Sequence, residues 1–339
     1  MLEHLKPLSS LYGISGNEDM VREYIIEKIK DKCEYYTDNL GNLIAFCKGR
    51  RSSERKLMIA AHMDEVGMIV TYINSDGTLS FDSVGGINDD VIAGRQVVIY
   101  NRSINGVIGS KAVHNMSAEE RKQSISVSKL YIDIGTHSKE ETEKLVSVGD
   151  CISFASQYTE LGGGKICSKA LDDRAGCAIM IDLINEGTEF DTYFVFTVQE
   201  EAGLRGAVTA AFGISPDFAV VLETTTACDI ADVIGVKRVC ELGRGPVISY
   251  MDRRTIYDRE LYDLAFHLGE KNNIPCQTKT MVAGGNDAGA IHISKSGVRT
   301  IAVSAPCRYL HSPSCVAQYS DIEMCEALVR LLITGINEL

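Results

Sequence analysis

The chain has 339 residues, enough for one large α/β domain with an insertion or for two domains, and enough to bury a real core. Its 45% hydrophobic and 24% charged content are those of an ordinary globular protein, and a net charge of -12 without a basic patch argues against a nucleic-acid partner. No apolar run approaches the ~18 residues of a membrane helix, the opening MLEHLKPLSSLYGISG lacks a leader pattern, and eleven cysteines lie scattered without a C-x-x-C pair; the expectation is a cytoplasmic protein with reduced thiols and no membrane partner.

In chain order, Asn17 to about Lys30 has the apolar spacing of an amphipathic helix, with Val21, Tyr24, Ile25 and Ile29 on one face. Two strands follow, NLIAFCK (Asn42 to Lys48) and KLMIAAH (Lys56 to His62). From about Val66 to Gly162 short β-type runs alternate with Gly, Asn, Asp and Ser turns, interrupted by two capping-box helix starts, SAEE at Ser117 and SKEE at Ser138. Strand and helix alternation then returns: a helix near Asp172 to Glu186, the strand TYFVFTV (Thr192 to Val198), the strand DFAVVLE (Asp217 to Glu223), a helix from about Asp258 to Lys271 and the strand VRTIAVSA (Val298 to Ala305). A last helix, Ser320 to about Ile336, opens with the capping box SDIE. The pattern predicts an α/β fold: a mainly parallel central sheet with helices on both faces, residues 1–65 and 163–339, interrupted by a β-rich inserted domain, residues 66–162.

Charged and histidine residues collect where these strands stop. His62 and Asp64 in AAHMDEVG are two apart, so on extended chain Asp64 lies beside His62 and can accept the proton of its non-ligating nitrogen. ALDDRAG sets Asp172 and Asp173 before a helix; an N-cap explains one of them, leaving Asp172 for a metal. VQEEAG places Glu200 and Glu201 at the end of an apolar strand, Glu223 closes DFAVVLE, and His311 lies in CRYLHSPSC between Pro306 and Pro313. Each has a plain explanation alone: a surface turn, a helix cap, a favourable charge at a helix N-terminus, a strand leaving the core. On one sheet edge, the place where α/β sheets bind ligands, a single dinuclear metal site accounts for all of them together. His4, His114, His137, His267 and His292 receive no role.

In this ordered set (SGNE, AHMDEVG, the β-rich insertion, KALDDRAG, VQEEAG and RYLHSP) the sequence closely resembles the M42 metallo-aminopeptidases, the glutamyl and tetrahedral aminopeptidase group, over essentially its whole length. The resemblance implies two divalent metal ions per subunit, zinc or cobalt, one held by His62 and Glu223, the other by Glu201 and His311, with Asp172 bridging both. It implies Glu200 as general base and acid, Asp64 as the support of His62, a cis peptide between Asp172 and Asp173, peptide substrates, and homo-oligomers built through the insertion, a dimer with a dodecamer beyond it. Asp172, Glu201, Glu223 and a bridging hydroxide would neutralise two divalent ions, which makes burial of the site tolerable, and the two imidazoles suit zinc or cobalt better than calcium.

One position departs from the family: glutamate stands at 223 where aspartate is common. It keeps a carboxylate ligand and leaves open, beside N-terminal peptide hydrolysis, a related metal-dependent deacylase or carboxypeptidase. A glycoside hydrolase of endoglucanase type, using Glu200 with Asp172 or Glu223, is a third reading; it leaves His62 and His311 unexplained. The Gly-rich stretch AGGNDAGA, Ala283 to Ala290, reads either as part of a substrate pocket or as a plain turn.

Overall fold

The computed structural model describes residues 1–122, 124 and 126–339; Gln123 and Ile125, inside the β-rich insertion, lie outside the described residues. The fold is set by strands with no polar face. Every residue of Leu57–His62 is buried, and its side chains alternate between two cores. Leu57, Ile59 and Ala61 pack with Phe194, Phe196, Val220 and Leu222 under the helices Leu171–Glu186 and Tyr319–Asn337. Met58 and Ala60 pack with Val195, Ala219 and Val221 under the helix Arg205–Ile214. A strand apolar on both faces requires a layer on each side, and the helices supply them. Each fully buried Leu, Ile or Phe side chain contributes about 1.5–3 kcal/mol to this sandwich.

Among the described residues eleven strands form the large sheet. Its four central strands, Thr192–Thr197, Leu57–His62, Phe218–Thr226 and Arg299–Arg308, are parallel neighbours in that order. The sheet is mixed rather than mainly parallel: on one flank Leu43–Cys47 and Glu34–Thr37 run antiparallel, on the other Cys315–Gln318, Lys165–Ser168 and Thr159–Leu161 do. Helical crossovers accompany parallel pairing only at the centre; on the flanks short connections join Glu34–Thr37 to Leu43–Cys47, Thr159–Leu161 to Lys165–Ser168 and Arg299–Arg308 to Cys315–Gln318 as antiparallel pairs. At one of these turns the Asp38 carboxylate accepts from the amides of Leu40, Gly41 and Asn42.

The insertion is a closed barrel of six antiparallel strands lying between Gly67 and Phe154, filled by Met68, Leu79, Val97, Ile132, Ile152 and their neighbours. Closure leaves no free sheet edge. Thr159–Leu161, within the 66–162 range read from sequence, pairs into the large sheet, so the barrel ends before residue 162.

Three local readings change. The helix Leu2–Ser10 carries Pro7 inside it, the feature that hides it in the sequence. The helix Tyr319–Asn337 has no side-chain cap at Gln318; the Asp321 carboxylate of SDIE instead accepts from the amides of Gly243 and Gly245 at 2.7 and 2.8 Å. SAEE opens only a short 3-10 turn, Glu120–Lys122, whereas Ser138 caps its helix by accepting from the Glu141 amide at 3.3 Å.

Candidate metal centre

The parallel strands deliver their C-terminal ends to one edge, and the residues singled out from sequence meet there. His62 is the last residue of its strand and 1% exposed. Glu223 sits inside Phe218–Thr226, opposite Ser304, and does not close the strand; Thr224, Thr225 and Thr226 continue it. Glu200 and Glu201 follow two residues that extend beyond Thr197, and His311 lies three residues past Arg308 in a loop where Tyr309 and His311 both adopt positive φ. The chain turns at Gln199, at φ 54°, just before the two glutamates.

Asp172 joins two groups of donors. Its Oδ1 lies 3.5 Å from His62 Nε2 and its Oδ2 lies 3.4 Å from His311 Nε2. Glu223 Oε1 is 4.0 Å from the same nitrogen of His62, and Glu201 Oε1 is 3.1 Å from that of His311. His62, Asp172 and Glu223 therefore bring ligand atoms within 4.8 Å of one another, Asp172, Glu201 and His311 do the same, and a third group gathers His62, Glu200 and Glu201. Asp172 Oδ1 is buried with no hydrogen-bond partner among the described residues, an orphan that a cation would satisfy. Two imidazoles and three carboxylates at these separations fit divalent metal.

The peptide between Asp172 and Asp173 is cis, and both residues are non-helical although they begin the helix Leu171–Glu186. Asp173 serves the helix start, where its Oδ1 accepts from the Gly176 amide at 2.9 Å. A Cβ on Gly176 would fall 2.3 Å from the other Asp173 oxygen, so this turn requires glycine.

Asp64 acts as a hub. His62 Nδ1 lies 3.0 Å from the Asp64 carbonyl oxygen and 3.4 Å from its carboxylate. The same carboxylate accepts from the amides of Glu200 and Glu201 at 3.0 and 3.1 Å and from the Ser15 hydroxyl at 2.5 Å. One buried carboxylate thus sets the His62 ring and both glutamate backbones. His311 has a different support: its Nδ1 lies 3.0 Å from the Gly86 carbonyl oxygen, contributed by the inserted segment.

Electrostatics follow from burial and these pairings. Burial pushes the carboxyls of Glu200, Glu201 and Glu223 up, Glu200 and Glu223 well above the usual carboxylate range. Burial acts the same way on Asp172, but the His311 and His62 imidazoles beside its two oxygens hold it well below that range. Burial opposes charge on both imidazoles, yet their carboxylate partners raise His62 well above its ordinary value and His311 to about 11.

Several supporting residues carry no sequence signal of their own. Lys169, 1% exposed, donates to both oxygens of Glu65, at 2.8 and 3.0 Å, and to the Leu11 carbonyl. The fully buried Arg174 donates to carbonyl oxygens of Met63, Leu8 and Gly13. Together they tie the first helix and the GISG turn to the HMDE segment. Asp287 of AGGNDAGA accepts from the Thr197 hydroxyl at 2.5 Å, and burial pushes its carboxyl up to about 6. A Gly-rich stretch or an isolated Lys or Arg in the sequence gives no reason to expect such contacts.

A mixed α/β sheet whose parallel core ends in a histidine and carboxylate cluster able to hold divalent metal defines the class of metallohydrolase folds. The profile of the family described as M42 glutamyl aminopeptidase matches residues 41–328, and the chain belongs to that family. A protein of Acetivibrio thermocellus is 43% identical over 339 residues, 99% of this chain and 98% of its own. Aminopeptidase APDkam598 of the archaeon Desulfurococcus kamchatkensis superposes with a TM-score of 0.92 at 36% identity, covering 98% of this chain and 93% of that one. The TET1 peptidase of Pyrococcus horikoshii, which can assemble into a tetrahedron or a large octahedral shell, superposes with a TM-score of 0.86 at 37% identity over 98% of each chain. Metal-dependent aminopeptidase function follows at the level of the family.

Proposed function

We propose that the enzyme removes N-terminal residues from peptides at a two-metal centre whose ligands are His62 and Glu223 on one side and Glu201 and His311 on the other, with Asp172 shared. The observation that carries this reading is the division of Asp172: one oxygen faces His62 and the other faces His311. Paired zinc or cobalt ions would supply Lewis acidity and an activated water to this cleft. Glu200, half-buried and with a raised proton affinity, takes the proton of the attacking water and returns it to the leaving amine. Asp64 fixes the His62 ring and the backbone of Glu200 without touching the substrate. A cleft of about 550 Å³ runs from this cluster along Thr224, Thr225 and the 283–286 stretch, which accommodates a peptide end.

Glu223 brings its carboxylate to the His62 and Asp172 group, so the longer side chain still offers a ligand there. Two histidines inside the carboxylate cluster act as ligands in the metal reading and have no role in a glycosidase. The chelator-sensitive activity of metal-reloaded protein on a free peptide and on its acetylated form tests the assignment. Stepwise loss of residues from the free N-terminus alone is expected. Removal of the acetyl group, or loss from the C-terminus, would move the protein to the deacylase or carboxypeptidase reading.

In the same reading residues 66–162 form the dimerisation domain, the subunits associate as dimers with a dodecamer beyond, as the TET1 relative's shells suggest, and the enzyme works in the cytoplasm, where its eleven cysteines remain thiols. Among the described residues no helix is long and apolar enough to cross a membrane.

A further inference from the structure

Two cysteines meet at the edge of the large sheet. Glu34–Thr37 is its last strand, exposed throughout and held along one side only, by Leu43–Cys47. In that ladder Glu34 stands opposite Phe46, so the antiparallel register carried one residue further sets Cys33 opposite Cys47. At the other end of the hairpin the Asp38 amide donates to the Asn42 carbonyl at 3.1 Å. Ladder bonds recur at every second pair, and counting back from that bond puts Cys33 and Cys47 on a pair that exchanges none. Pairs of that kind bring their Cα atoms to about 4.5 Å, inside the range of roughly 4.4–6.8 Å that a disulfide spans.

Both side chains lie on one face of the hairpin. Leu43, Ala45 and Cys47 point into the core that holds Ile59 and Phe194, and Cys33 packs against that same core. Cys47 is 4% exposed. Cys33 is half-buried, in the turn between the helix Asp19–Ile29 and the edge strand, with its sulfur 3.7 Å from the Ile29 carbonyl oxygen. The neighbouring Cys47 brings the Cys33 thiol below its ordinary value, while Cys33 and burial push the Cys47 thiol up. A reachable, more acidic thiol beside a sealed one is the arrangement of an attacking and a resolving cysteine. Cys307 and Cys315 differ on both counts: they are 0% and 2% exposed, and with Cys307 opposite Ala317 they stand two positions out of register.

We propose that Cys33 and Cys47 form a thiol–disulfide exchange site for small-molecule disulfides of the glutathione type. The Cys33 thiolate attacks one sulfur of the small disulfide and forms a mixed disulfide; the other half leaves and takes up the proton that Cys33 gave. Cys47 then loses its proton and attacks the Cys33 sulfur, closing the protein disulfide, and the second half leaves as a thiol with that proton. Two protein thiols are oxidised and one small disulfide is reduced to two thiols, so electrons and protons balance. In a reducing compartment the pair stays open. Where small disulfides accumulate it closes, and the edge strand is then tied to its neighbour at the end opposite the Asp38 turn. The site is separate from the metal centre and does not depend on the reaction proposed there.

The test exposes the native full-length protein to excess oxidised glutathione, desalts it, unfolds it in iodoacetamide to label every remaining thiol, and reads tryptic peptides by mass. Cleavage after Lys32 and Lys48 leaves both cysteines on one peptide, residues 33–48. In wild type most of that peptide is expected without label at either cysteine and lighter by the two thiol hydrogens, and reduction before labelling restores both labels. Cys47→Ser is expected to stop at the mixed disulfide, with glutathione on Cys33. Cys33→Ser is expected to keep Cys47 as a labelled thiol, since the buried sulfur meets no reagent. A wild-type peptide labelled at both cysteines after the same exposure overturns the site, and glutathione on Cys47 in Cys33→Ser overturns the division between attacking and resolving thiol. The wild-type peptide decides alone if a serine variant does not fold.

Discussion

The two halves of the candidate metal centre use the same donor types on different supports. His62 and Glu223 belong to neighbouring parallel strands, His62 in register with Thr197 and Glu223 with Ser304, and both side chains are buried. Glu201 and His311 lie on loops beyond the strand ends, and the His311 side chain is 34% exposed. Each depends on single hydrogen bonds, Glu201 through its amide to Asp64 and His311 through its ring to the Gly86 carbonyl of the insertion. A ligand on a paired strand is positioned by the fold itself, whereas a ligand on a loop is only as well positioned as its nearest contact. The halves should therefore hold their ions unequally.

The largest expected effect crosses that division without disturbing it. Glu200→Gln keeps both ions but loses about 10²–10⁴ in kcat, the range of a lost general base; metal content beside turnover checks this, and full activity in a metal-replete variant would rule out the assigned role. Asp64→Asn weakens the contact that sets His62, so metal affinity falls by about 10- to 100-fold, with the buried half most affected. Gly86→Ala acts on the other half alone. An added Cβ would lie 3.3 Å from His311 Nδ1, so calorimetric titration should show one ion weakened about tenfold, the low end for a displaced supporting contact, while the other keeps its affinity. Equal weakening of both ions would erase the comparison.

The smallest effect concerns pH. In metal-stripped protein hydrogen bonds to Asp172 and Glu201 outweigh burial and raise His311 to about 11. A histidine raised above its unfolded value of about 6.5 contributes its full stabilisation below that pH and loses it as pH rises toward the folded value. Denaturant unfolding of the stripped enzyme should therefore show a His311 contribution that shrinks between about pH 7 and about pH 9.5 and is missing in His311→Gln. Partial exposure of the ring screens and reduces it. Metal binding must displace that proton, so ion affinity rises over the same interval.

The unequal supports also explain what can be read from sequence. The strand-borne half is legible because Leu57–His62 and Phe218–Thr226 are continuous apolar runs, and such runs announce a covered strand and its exit point. Even so, Glu223 sits three residues inside its strand; the threonines after it are β-formers that resemble a turn only because they are polar. The loop-borne half is legible through motif resemblance, and the contact that orients it is not: nothing in a Gly-Gly pair at 85–86 says that its carbonyl meets a histidine 225 positions away. The Lys169–Glu65 pair escapes the sequence for the same reason, since long-range hydrogen bonds leave no local period. The mixed character of the sheet is hidden because apolar strands look alike whether a helix or a hairpin joins them.

The central claim is that two ions share Asp172 between unequal halves. Anomalous diffraction at the zinc edge from zinc-loaded crystals tests it most directly. Two peaks about 3.5–4 Å apart are expected, one among His62, Asp172 and Glu223 and one among Asp172, Glu201 and His311, the second emptying first as zinc is lowered. A single peak under zinc saturation, or a pair that does not include Asp172 between them, would contradict the account.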